Sequence, residues 1–150
     1  IAKDERHRGI KLLSNIKEKL SRPEFRLPVL GAVPAGNPVD AQEQVEEWME
    51  VGEDMVYRNK ESFLLRVTGE SMIDAGIYEG DIVVVCRNME ARAGDIVVAL
   101  VDNQNTVKRY MIEDGKVYLK PENANYENIY PDNELCVQGV VTGLIRHYKR

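Results

Sequence analysis

Two short segments of this 150-residue chain are near-copies of each other: Gly80-Asp81-Ile82-Val83-Val84-Val85 and Gly94-Asp95-Ile96-Val97-Val98-Ala99, 14 residues apart. β-Branched runs opened by a Gly-Asp turn read as central strands. Two copies are too few for a repeat architecture. The surroundings agree with strands. Ser62 to Thr68 is an apolar strand, and Asn105 to Ile112 and Lys116 to Lys120 flank Glu113-Asp114-Gly115. Asp-Gly accepts positive φ, so this is a hairpin. Leu135 to Arg146 reads as a long final strand, with Gly139 and Gly143 as bends or bulges. The pattern predicts a mainly β, mostly antiparallel domain.

Composition narrows the classes of function. A hydrophobic content of 43% and a charged content of 30% belong to a soluble globular chain, long enough for one domain with a short appendage. The longest apolar run, Asp81 to Cys86, is far short of the ~20 residues of a membrane span. Ile1 to Arg6 is charged and has no apolar signal region. The chain does not begin with Met, and it reads as a fragment or a trimmed chain. Cys86 and Cys136 lie in apolar stretches and read as buried free thiols of a cytosolic protein. No Cys/His cluster has metal-ligand spacing, so neither metal nor cofactor is expected. A net charge of −5 argues against a nucleic-acid surface over the whole chain. The basic clusters at the ends (Lys3, Arg6, Arg8, Lys11; Arg146, Lys149, Arg150) read as solvated tails.

The candidate chemistry lies in Val67 to Ile77 and in Val107-Lys108-Arg109. A strand runs into a Gly-containing turn that presents Ser71, and Lys108 follows 37 residues later on another strand. A serine nucleophile needs a base, and the two histidines, His7 and His147, are both near the termini. A lysine serves where an apolar site keeps its amine neutral, below the usual pKa of about 10.4. On residue types alone a second reading stays open: a turn serine bonded to local backbone and a solvent-facing lysine.

The local words go further. Gly69-Glu70-Ser71-Met72-Ile73-Asp74, the two Gly-Asp-Ile-Val segments, Thr106-Val107-Lys108-Arg109, Leu119-Lys120-Pro121-Glu122-Asn123 and Gly139 to Arg146 occur in order. Together they resemble the catalytic domain of LexA-type repressors and their relatives, the UmuD-type polymerase accessory proteins, over roughly Leu27 to Arg146. The resemblance implies a LexA/signal-peptidase-like antiparallel β domain that cuts its own chain with a Ser-Lys pair. Ser71 would be the nucleophile, Lys108 the general base and then the acid, and backbone N–H groups at Ser71 and a neighbour the oxyanion donors. Ala35-Gly36, in the turn-like Gly31 to Val39 segment, matches the Ala-Gly bond that the family cuts. UmuD-type relatives have Cys-Gly there, so Ala35 favours the repressor branch. Val97, Val98, Val107 and Met111 would bury Lys108, while Arg109 would point to the surface. The implied partners are a second copy of the chain, activated RecA filament on single-stranded DNA, and operator DNA through an N-terminal domain largely absent here. The implied setting is cytoplasmic.

Residues 1–26 are set apart as the remnant of that domain and its linker, and 27–150 as the self-cleavage and dimerisation domain. Ile10, Leu13, Ile16 and Leu20 have helical spacing up to Pro23. By resemblance, Arg8 to Leu13 is instead the last strand of a winged helix-turn-helix. Asp40 to Tyr57 reads as a short helix or an irregular loop with Trp48 as a packing anchor. The last strand is expected to carry the dimer contact, and Arg146 to Arg150 to be a solvated tail. Three rivals remain: a UmuD-type accessory subunit, a non-cleaving dimerisation module, and a signal-peptidase-like enzyme acting on other proteins.

Overall fold

The computed structural model describes residues 25–33, 44–131 and 135–148. The two readings of residues 1–24 therefore fall outside the described residues, as do Ala35 and Gly36. Among the described residues eight strands make one sheet: β1 (Arg26–Leu30), β2 (Val45–Glu50), β3 (Ser62–Arg66), β4 (Ile82–Cys86), β5 (Ile96–Val101), β6 (Gln104–Glu113), β7 (Lys116–Lys120) and β8 (Cys136–Ile145). Their order across the sheet is β2-β1-β3-β4-β8-β5-β6-β7. Every pairing is antiparallel except β1 with β3.

The two near-copies are β4 and β5, and both are interior strands, as their composition predicts. All five side chains of β4 are buried, because both faces of the sheet are covered there. Phe63, Leu65, Val83 and Val85 enter one apolar cluster with Met72, Val98 and Val107. The alternate residues Leu64, Ile82 and Val84 enter another with Leu27, Val29 and Val51. This is period-2 alternation with both sides dry. The β6–β7 hairpin turns on Asp114 and Gly115, both at positive φ (52° and 75°), as the Asp-Gly pair predicts.

β8 carries two bulges, and each falls one residue before the glycine expected to bend the strand. Against β5 the register jumps so that Gln138 is the extra residue, and against β4 so that Thr142 is. Gly139 has a different task. A Cβ there would lie 2.4 Å from a Val85 methyl and 2.9 Å from the Cys86 carbonyl oxygen, so no side chain fits. β8 lies between β4 and β5, pairing with β5 over Cys136 to Val140 and with β4 over Val140 to Ile145, so each edge is bonded along about half the strand.

Several expectations are corrected. Val45–Glu50 is a strand, followed by a 3-10 turn at Glu53–Met55, not a helix or loop. β1 offers an edge, and β2 pairs along it with Glu46, Glu47 and Glu50 all exposed to solvent. Trp48 is 55% exposed and lies across the Arg26 guanidinium, 6.0 Å from the ring centre, so it anchors no core. Cys86 is buried and free, but Cys136 is exposed, since it opens β8. Arg146 is no solvated tail. Its Nε and Nη2 each lie 2.7 Å from an oxygen of buried Asp81, and Nη2 also donates to the Gly76 carbonyl.

Candidate active site

Ser71 sits on the turn that leaves β3. Val67 continues β3 by exchanging hydrogen bonds with the Gly80-Asp81 segment. The chain then turns through Gly69 and Glu70 to Ser71, and Ile73–Ala75 closes a 3-10 turn. This turn is held from behind by residues 122 and 123. The Glu122 N–H donates to the Ser71 carbonyl (2.8 Å), the Asp74 N–H donates to the Glu122 carbonyl (2.8 Å), and Asn123 Nδ2 donates to the Glu70 carbonyl (2.8 Å). Met72 is fully buried and anchors the turn to the core. Among the described residues, neither the Ser71 nor the Met72 backbone N–H has an acceptor.

Lys108 arrives from β6, opposite Val97 of β5. Its Nζ is 2.8 Å from Ser71 Oγ, 2.5 Å from Thr106 Oγ1 and 3.2 Å from the Val107 carbonyl oxygen. The residue is only 7% exposed, and among the described residues no carboxylate is bonded to it. Burial without a counter-charge disfavours the ammonium and pulls its pKa from 10.5 down to about 8. The solvent-facing reading of Lys108 is thus excluded. Val97, Val98 and Val107 are buried as expected, whereas Met111 is not in the buried core. It is an odd number of residues from Lys108 and so faces the other side of the strand.

A cleft of about 410 Å³ leads to the pair, lined among others by Gly31, Ala32, Thr68, Gly69, Ser71 and Lys108. The chain that leads toward Ala35 therefore enters beside the hydroxyl. Val33, the last described residue before it, is 1% exposed. Its backbone is bonded by Asn105 and Gln138. Arg109 differs from expectation: its Nε donates to Glu122 Oε1 (2.6 Å) and its Nη1 to the Gly94 carbonyl (2.5 Å). It braces the segment that supports the serine turn. The expectation of a surface arginine had only alternation to go on and no sight of Glu122 across the turn. Thr106 was visible in the sequence as part of a motif. Asn105 and Gln138 gave no sign, because their partner is a distant backbone.

Among the described residues, no three His, Cys, Asp or Glu side chains are grouped to hold a metal ion, and no helix is long and apolar enough to cross a membrane.

A half-buried serine hydroxyl against a desolvated amine is the arrangement of serine hydrolases that use lysine where others use histidine. The chain belongs to the Peptidase S24-like family, which it matches over residues 28–142. It is 39% identical over 135 residues to the LexA repressor of Clostridium novyi, covering 89% of this chain and 66% of that protein. It is 42% identical over 142 residues to the LexA repressor of Methylococcus capsulatus (93% and 67%), and 46% over 125 residues to that of Caldicellulosiruptor saccharolyticus (83% and 61%). The chain thus spans about two thirds or less of the length of these relatives.

Proposed function

We propose that this chain is the self-cleaving part of a LexA-type repressor of the DNA-damage response, and that it cuts its own Ala35-Gly36 bond. The observation that carries the reading is the 2.8 Å contact between Ser71 Oγ and the buried Lys108 Nζ. In its neutral form Lys108 takes the Ser71 proton as Oγ attacks the Ala35 carbonyl carbon. The negative charge on the carbonyl oxygen is met by the N–H groups of Ser71 and Met72. The Lys108 ammonium then gives its proton to the Gly36 nitrogen, the C–N bond breaks, and Ala35 is left as an ester on Ser71. Water attacks that ester with Lys108 again as base, and Ser71 is restored. Thr106 Oγ1 fixes the amine on the serine side of β6.

Because substrate and nucleophile share a chain, the rate is independent of concentration, and it requires a gate. The gate is the position of the cleavage segment, with activated RecA filament favouring the docked state through a population shift. Cleavage separates an N-terminal operator-binding domain from the dimerising domain. The two half-site contacts lose their tether, and operator affinity falls. The relatives' shared name, LexA repressor, supports this branch over an accessory subunit.

The test is mass spectrometry of the purified chain after incubation at alkaline pH and with activated RecA filament, beside Ser71→Ala and Lys108→Ala. Fragments ending at Ala35 and beginning at Gly36, absent from both variants, are expected. A chain that stays whole under both conditions refutes the reading.

A further inference from the structure

Asn105 and Gln138 come from different strands and meet over one peptide unit. Asn105 lies near the start of β6, three residues before Lys108, and pairs with Leu100 across the ladder. Gln138 is the extra residue of the β8 bulge, and a bulge re-aims the side chain it carries. The Val33 N–H donates to Asn105 Oδ1 at 2.8 Å. Asn105 Nδ2 donates to the Val33 carbonyl at 2.7 Å and to Gln138 Oε1 at 2.8 Å. Gln138 Nε2 donates to the same Val33 carbonyl at 3.0 Å. One side-chain amide thus meets both polar groups of Val33 as a neighbouring strand would, and a second amide braces the first. The Val33 side chain is meanwhile sunk in the cluster that contains Met72, next to Ser71.

The lining of the cleft suits a positioning role. Gly31, Ala32 and Asn105 line the same cleft as Ser71 and Lys108, so an anchor at Val33 holds the chain beside that pair two residues before Ala35. The contacts are to main-chain atoms, and they add to the hold that the buried Val33 side chain gives.

We propose that Asn105 and Gln138 form a main-chain clamp on Val33 that holds the chain in register beside Ser71 for self-cleavage. This rests on the self-cleavage reading above, and both residues are positioning rather than catalytic. Two readouts separate the claims. The first is amide hydrogen exchange in a Ser71→Ala chain, with and without Asn105→Ala. Exchange at Val33 is expected to quicken at least tenfold, the order for a buried N–H that loses its acceptor, while Val83 and Val85 keep their rates. Unchanged Val33 exchange overturns the clamp whether or not the chain cuts itself. The second is the self-cleavage rate of Asn105→Ala and Gln138→Ala with Ser71 intact, from pH 7 to 10. The clamp predicts about tenfold slower cutting at every pH for Asn105→Ala, less for Gln138→Ala, and an unmoved pH midpoint. Wild-type rates in Asn105→Ala overturn it. A wild-type chain that makes no fragments sinks the cleavage reading instead, and the exchange result then decides the clamp by itself.

Discussion

Replacing Lys108 with methionine should stabilise the fold while abolishing cleavage. The buried amine has its pKa lowered from 10.5 to about 8. At about 1.4 kcal/mol per decade this is about 3 kcal/mol against the folded state when the lysine is charged. The sign follows from linkage. Below pH 8 both folded and unfolded chains carry the ammonium, and the folded one bears the full desolvation cost. Between pH 8 and 10.5 the folded lysine is neutral while the unfolded one still binds a proton, so stability rises with pH. Above 10.5 the cost is gone. Methionine is a similar unbranched shape without the charge. Loss of the lysine's bonds to Thr106 and the Val107 carbonyl offsets about 1 kcal/mol, leaving a gain of about 2 kcal/mol at pH 7. The assay is urea unfolding of Ser71→Ala and of Ser71→Ala with Lys108→Met, a background in which the chain cannot cut itself. The gap should favour methionine at pH 7 and shrink by pH 10. A methionine variant less stable at pH 7, or a gap that ignores pH, would refute the reasoning.

Two further outcomes follow from the same structure. Thr106→Val removes the hydroxyl that orients Lys108 Nζ and should slow self-cleavage about 3- to 10-fold, the worth of one hydrogen bond, with the same fragments by mass; an unchanged rate would show that the hydroxyl is idle. Asp81→Asn breaks the forked pair with Arg146 and should cost about 2 kcal/mol in urea unfolding, below the range for fully buried pairs because Arg146 is about one third exposed. The hydrogen bonds from Arg146 hold the Asp81 carboxyl below its ordinary 3.8, so that contribution is present above pH ~4 and fades as pH falls further. A gap between wild type and variant that persists unchanged to pH 2 would contradict this.

What was legible in the sequence was what composition and spacing determine locally. The valine runs of β4 and β5 could be nothing but interior strands, and Asp114-Gly115 specified its hairpin. The burial of Lys108 was implied by the resemblance, while its residue types alone left a solvent-facing reading open. Misread segments were those whose state depends on a distant partner. β2 is acidic and has little strand character of its own, and it becomes a strand because β1 offers it an edge. Arg146 looked like the start of a charged tail until Asp81, 65 residues away, was seen buried beside it. Arg109 and Glu122, and Asn105 and Gln138, are pairs made by topology, and a single sequence carries no mark of them. The turn that holds Ser71 was recognisable by its residues, but its brace from Glu122 and Asn123 was not.

If a neutral Lys108 activates Ser71, the self-cleavage rate follows the titration of that amine. With a pKa of about 8, the neutral fraction is about one tenth at pH 7 and about nine tenths at pH 9. The rate should therefore rise about tenfold over that interval, level off above pH 9, and vanish at every pH in Ser71→Ala. A rate flat from pH 7 to 10, or cutting that survives Ser71→Ala, would contradict the account.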